Sequence, residues 1–159
     1  MMSLCCDVLN ALKGKTLVTA ESCTGGWIGK ELTSIPGSSE VYKGGIISYT
    51  NFVKESVLDI DPHILEQYGA VSKETAGEMA RGARRLLKAD VSVSVTGLAG
   101  PGGDDFGNAV GTVFIGCETK DQLTVRGYHF KGDRDSVRIQ AVEAALNLIL
   151  FCIQKEPTR

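Results

Sequence analysis

Short β-branched runs alternate with stretches of helical period, and nearly every run breaks off into glycine or polar residues. No other feature limits the chain's possible folds so strongly. Residues 16–20 (TLVTA), 45–49 (GIISY), 91–95 (VSVSV), 111–117 (GTVFIGC) and 123–130 (LTVRGYHF) predict strands. Between them, residues 24–34 and 52–58 predict helices, and Asp61-Pro62 starts another, with a capping carboxylate before a proline at the first helical position. Ser72 caps the clearest helix, whose Ala76, Met79, Ala80, Ala83 and Leu87 fall on one face. Val137, Ala141, Ala144, Leu148 and Phe151 mark a final amphipathic helix. The first half reads as strand-helix crossovers and the second as an antiparallel excursion. The predicted fold is therefore α/β: a layered α/β/α-type single domain with a mixed parallel/antiparallel sheet, whose strand order this pattern does not specify.

A chain of 159 residues fits one domain, here residues 1–159, and can bury a core without metals or disulfides. Its 17 basic and 19 acidic side chains are not clustered, so there is no footprint for nucleic acid or an anionic membrane. No single apolar run approaches the roughly 18 residues of a membrane span. The start, MMSLCCDVLNALKGK, lacks the pattern of a secretory leader, and the expected location is the cytoplasm. Five cysteines without a CxxC pair or a nearby histidine indicate neither zinc nor a disulfide framework, so neither metal nor cofactor is expected. Low charge, apolar strands and an apolar last helix are compatible with a homo-oligomer.

Four stretches place polar or glycine-rich sequence beside core elements, where open α/β sheets hold their sites. In Ala20-Glu21-Ser22-Cys23-Thr24-Gly25-Gly26, Ser22 could expose its hydroxyl at a helix N-terminus whose N–H groups stabilise an oxyanion. Gly25 and Gly26 would let a ligand approach the backbone. Ser22 or Thr24 could equally serve as a plain helix cap. A nucleophilic serine needs a base; His63 and His129 suit ordinary structural roles, which leaves a lysine desolvated into neutrality. Lys54 is the candidate, in a stretch where Tyr49 could stack on a ring or relay a proton and Asn51 could offer an amide. Thr96 opens a loop with four glycines in the seven residues 97–103, among them Gly97 and Gly100, able to turn N–H groups toward an anion. That loop matches neither a dinucleotide-fold nor a P-loop fingerprint. Finally, Arg134 and Arg138 share a face at the start of the last helix and could converge on a phosphate, or pair with Asp133 and Asp135 at the surface.

Taken in order, AESCTGGWIGKELTSIPGSSEVYKGGIISYTNFVK, GAVS, VTGLAGPGG, VGTVFIG and FKGDRDSVR resemble the CinA C-terminal domain family, whose characterised members are nicotinamide-nucleotide amidases. The resemblance spans about residues 8–153. It implies hydrolysis of nicotinamide mononucleotide to nicotinate mononucleotide and ammonia, with the nucleophile at Ser22, the general base at Lys54 and a site tyrosine at Tyr49. It also places Thr96, the 97–103 loop and Arg134 against substrate, with Arg138 as companion. Relatives commonly carry Lys-Pro where this chain has Asn108-Ala109, a departure bearing on the pocket. Cys23 is the rival nucleophile. The competing functions are a non-catalytic nucleotide-binding module and an amidase for another phosphorylated amide.

Overall fold

The computed structural model describes residues 1–154. In chain order its elements are α1 (Met2–Ala11), β1 (Leu17–Glu21), α2 (Trp27–Thr33), a 3-10 turn (Ser38–Glu40), β2 (Tyr42–Ile47), α3 (Asn51–Ser56), α4 (Pro62–Tyr68), α5 (Lys73–Leu87), β3 (Val91–Gly97), β4 (Thr112–Glu118), β5 (Leu123–His129) and α6 (Arg134–Gln154). The strands form one sheet in the order β2-β1-β3-β4-β5. β1 runs parallel to both β2 and β3, whereas β3-β4 and β4-β5 are antiparallel, so the sheet is mixed.

Alternation along each strand sends neighbouring side chains to opposite faces, and helices cover both. Leu17, Val91, Val93 and Ile115 join α1, α2 and α6 in one core. Val18 and Ala20 face the other way, against Leu58, Ile60, Met79 and Ala83. The hydroxyls of the VSVSV run let α5 lie close to the sheet: Ser92 Oγ donates to the Ala80 carbonyl at 2.7 Å and Ser94 Oγ to that of Ala76 at 2.6 Å. A Cβ on Gly116 would stand 2.7 Å from the same Ala76 oxygen, so only glycine fits there. Leu87, expected on the buried face of α5, is instead exposed, because the packed stripe ends at Ala83.

One element departs from the sequence pattern. α1 packs Cys5, Val8 and Leu9 into the core against α6, although its residues show no strong start signal. α6, at 21 residues, is long and apolar enough by length and composition alone to cross a membrane, although Arg138, Gln140, Glu143 and Asn147 interrupt it, so it is not an unbroken apolar run. Its Val137, Ala141, Leu146 and Ile149 are fully buried against the sheet and α1, the position of a core helix.

The crossovers leave β1 in opposite directions, with β2 on one side and β3 on the other. The carboxyl ends of these three parallel strands therefore lie side by side at a point where strand order reverses, the usual crevice of open α/β sheets. Ser22, Ser48 and Thr96 all stand at that edge.

Candidate active site

β1 ends in Glu21, and the next four residues make a tight turn closed by a hydrogen bond from Gly25 N–H to the Ser22 carbonyl at 3.1 Å. Gly25 and Gly26 take φ of +60° and +96°, a region that disfavours side chains, so α2 begins at Trp27 and not at Thr24. The buried Glu21 carboxylate caps that helix from the strand side. Its Oε2 accepts from Gly26 N–H at 3.1 Å and Ile28 N–H at 3.0 Å, and its Oε1 from Gly29 N–H at 3.0 Å. The first N–H groups of α2 are thus occupied. The expectation that they hold an oxyanion is corrected by a residue whose role the sequence pattern did not reveal. A further bond, from Ser22 N–H to the Val95 carbonyl at 2.9 Å, ties the turn to β3.

Lys54 reaches back from α3 into this edge. Only 1% exposed, its Nζ donates to the Ser48 carbonyl at 2.6 Å and stands 3.1 Å from Ser22 Oγ, which is 7% exposed. No carboxylate pairs with this ammonium among the described ion pairs. Burial disfavours the charged form and lowers the Lys54 pKa from 10.5 to about 8, partly offset by the Cys23 thiol. At neutral pH a useful fraction of this amine is therefore unprotonated and within reach of the serine proton.

Ser22, Cys23, Lys54, Tyr49, Thr96, Gly97, Gly100 and Arg134 border one cleft of about 340 Å³, within the range of small-molecule sites. Ala70 and Val71 form part of its wall. Thr96 Oγ1 donates to the Ala70 carbonyl at 2.7 Å, which commits its proton to the scaffold. Asn108, at the departure from Lys-Pro, donates through Nδ2 to the Val71 carbonyl at 3.0 Å and to Asp104 at 2.8 Å, fastening the glycine loop to that wall. At the rim, Arg134 donates to the Gly100 carbonyl and, at 3.2 Å, to the Tyr49 hydroxyl.

Five of the residues singled out from the sequence lie outside the cleft lining. Thr24 is fully buried with its hydroxyl unpartnered among the described residues, while Gly25 and Gly26 shape the turn. Asn51 is exposed at the start of α3 behind the capping Thr50. Arg138 diverges from Arg134: its Nε donates to the Cys23 carbonyl at 3.0 Å, its Nη2 to that of Thr24 at 3.3 Å, and its Nη1 to Asp135 at 3.2 Å. Burial pushes the Cys23 thiol up to about 11, so it is almost wholly protonated at neutral pH and poorly suited to attack. His63 pairs with Glu66 on the exposed face of α4, and His129 closes β5, neither bordering the cleft. Among the described residues there is no His/Cys/Asp/Glu cluster that could hold a metal ion.

Comparison with known proteins points to one family. The CinA C-terminal domain model matches residues 3–153. A CinA-like protein of Desulfotalea psychrophila is 44% identical over 137 residues, which cover 86% of this chain and 33% of the relative. One from Thermotoga neapolitana is 42% identical over 132 residues, covering 83% and 32%. The chain thus spans about a third of the length of the curated relatives it matches. Among solved structures, a CinA superfamily protein from Escherichia coli superposes with a TM-score of 0.92 at 36% identity, covering 94% of this chain and 88% of the other. Competence damage-inducible protein A from Klebsiella pneumoniae gives 0.95 at 31% identity, covering 98% of both. With the family model matching nearly its whole length, this chain belongs to the CinA C-terminal domain family.

Proposed function

We propose that the chain is a nicotinamide-nucleotide amidase that hydrolyses the carboxamide of nicotinamide mononucleotide through a serine-lysine acyl-enzyme mechanism. The observation that carries this reading is the 3.1 Å approach of a buried, carboxylate-free Lys54 amine to Ser22 Oγ. The neutral amine takes the Ser22 proton as Oγ bonds to the carboxamide carbon, and the carbonyl π electrons move onto oxygen. When the oxyanion collapses, the C–N bond breaks and the Lys54 proton passes to the leaving nitrogen, which departs as ammonia. Water then adds to the ester carbon and gives a proton to Lys54. As the C–Oγ bond breaks, that proton returns to Ser22 and the nicotinate carboxyl is released, losing its own proton to solvent. The amine is neutral again and the cycle closes.

The substrate part of the proposal comes from the family resemblance and from the cleft's chemistry. Arg134 supplies a cation at the rim for a phosphate, and Tyr49 supplies a ring for stacking. Binding energy from the phosphate, far from the reacting carbon, would be used to orient the carboxamide. Purified protein incubated with nicotinamide mononucleotide is expected to release ammonia and nicotinate mononucleotide, and Ser22→Ala to release none. Saturable binding without ammonia would instead indicate a non-catalytic nucleotide module. Ammonia only from other phosphorylated amides would move the substrate assignment.

A further inference from the structure

Residues 22–25 form a β-turn, and the peptide between its two central residues joins the Cys23 carbonyl to the Thr24 N–H. Thr24 is not among the residues with positive φ, which excludes the type II form and its reversed central peptide. In the remaining form the N–H of the third turn residue faces the side chain of the first, the geometry by which Ser and Thr hydroxyls bond the backbone two residues on. Here that side chain is Ser22. The Thr24 N–H, like that of Cys23, has no oxygen acceptor among the described hydrogen bonds, whereas the N–H groups of Ser22, Gly25, Gly26, Trp27, Ile28 and Gly29 are all taken.

Across the same peptide plane, C=O and N–H point in opposite directions. Arg138 grips this peptide by its carbonyl edge, 3.0 Å from the Cys23 oxygen, and adds a second bond to the Thr24 oxygen, which also accepts from Trp27 N–H at 3.1 Å. Its guanidinium lies 5.0 Å from the Trp27 ring centre, and Asp135 takes a third donor. So fastened, it is poorly placed to swing onto a phosphate.

We infer that Arg138 is a positioning residue for acyl transfer: by anchoring the Cys23 carbonyl it keeps the Thr24 N–H turned toward Ser22, where the oxyanion of the tetrahedral intermediate forms. This deepens the amidase reading, and rests on it for acyl transfer at Ser22. Glu21 serves the same turn from the other side by absorbing the N–H groups of α2, so the Thr24 amide, and not the helix, supplies the donor.

The test separates turnover from affinity. With nicotinamide mononucleotide, Arg138→Ala is expected to lose kcat by about 10- to 100-fold, below the ~10²–10³ cost of deleting an oxyanion donor outright, with KM changed less than about threefold. Arg138→Lys, which keeps the charge but not the fork, should fall between the two. Methylguanidinium added at millimolar concentration should restore part of the Arg138→Ala rate. A KM raised about tenfold or more with kcat preserved would overturn the inference in favour of a phosphate contact. Covalent labelling of Ser22 by a fluorophosphonate, which also builds charge on a tetrahedral oxygen, supplies a readout independent of the substrate. It is scaled to the fraction folded by far-ultraviolet dichroism. Labelling should slow in parallel in Arg138→Ala, and equal labelling of mutant and wild type would overturn the inference. If the wild type labels at Ser22 but releases no ammonia, the substrate assignment fails while the labelling series still decides the role of Arg138. Failure of the wild type to label would overturn both.

Discussion

The floor and the rim of the cleft are built by different physics. At the floor, Ser22 and Lys54 are 7% and 1% exposed, and most backbone groups around them, the Cys23 and Thr24 N–H aside, are tied to a strand, a carboxylate or a guanidinium. At the rim, Tyr49 is 58% exposed and meets Arg134 in a solvent-facing hydrogen bond. Buried polar contacts hold geometry firmly because breaking them leaves unsatisfied groups; exposed ones exchange readily with water. The floor is thus suited to chemistry that tolerates little displacement, and the rim to a ligand that must enter and leave.

That contrast can be broken most sharply at the floor. Ser22→Ala should abolish ammonia release, by about 10⁴-fold or more, measured against purified wild type. Lys54→Met should be nearly as damaging to turnover yet raise stability, because it removes a buried cation with no carboxylate partner. The drop from 10.5 to about 8, at about 1.4 kcal/mol for each tenfold change in proton affinity, sets an upper scale on the order of 3 kcal/mol. Between those values the unfolded chain binds more protons at this site than the folded one, so wild-type stability rises with pH across that window. The stabilising effect of Lys54→Met in urea titrations should therefore be full below about pH 8 and fade toward pH 10.5. Unchanged stability at pH 7 would mean the ammonium is better solvated than its burial suggests.

Effects at the rim should be smaller and fall on affinity. Arg134→Ala is expected to raise KM for nicotinamide mononucleotide about tenfold, roughly 1.4 kcal/mol, and to affect the unphosphorylated nucleoside little. Tyr49→Phe, which keeps the ring and loses the hydroxyl partner of Arg134, should shift KM by only about two- to fivefold. Cys23→Ala should leave kcat within about threefold of wild type. A large loss there would point to the thiol as nucleophile despite its raised pKa.

How much of this was legible in the chain follows from the range of the signals. Strands and the α5 face are written in local period, and VSVSV predicts a strand, but the helix carbonyls that accept from its hydroxyls lie more than ten residues away in sequence. α1 escaped notice because its stability comes from contact with α6, across most of the chain's length. Glu21 stood in view beside Ser22, but its three acceptor bonds depend on two glycines folding the chain back over it. A carboxylate just before a double glycine and a helix is the signal that could have found it. Arg134 and Arg138 are four residues apart and looked alike. Arg134 sits exposed at the first residue of α6, whereas Arg138, one turn on, is drawn against Trp27 and the catalytic turn. Likewise the approach of Lys54 to Ser22, 32 residues apart, came from family likeness and not from spacing.

The central claim is that burial holds an amine partly neutral beside the Ser22 hydroxyl. Its most direct test is an NMR titration of Lys54 in the intact protein, using carbon-13 in the methylene next to Nζ and assigning the signal by its disappearance in Lys54→Met. The account expects a midpoint near 8, matching the pH at which the rate of ammonia release reaches half its plateau. A midpoint at the ordinary 10.5, or a rate that does not rise with pH through 8, would contradict it.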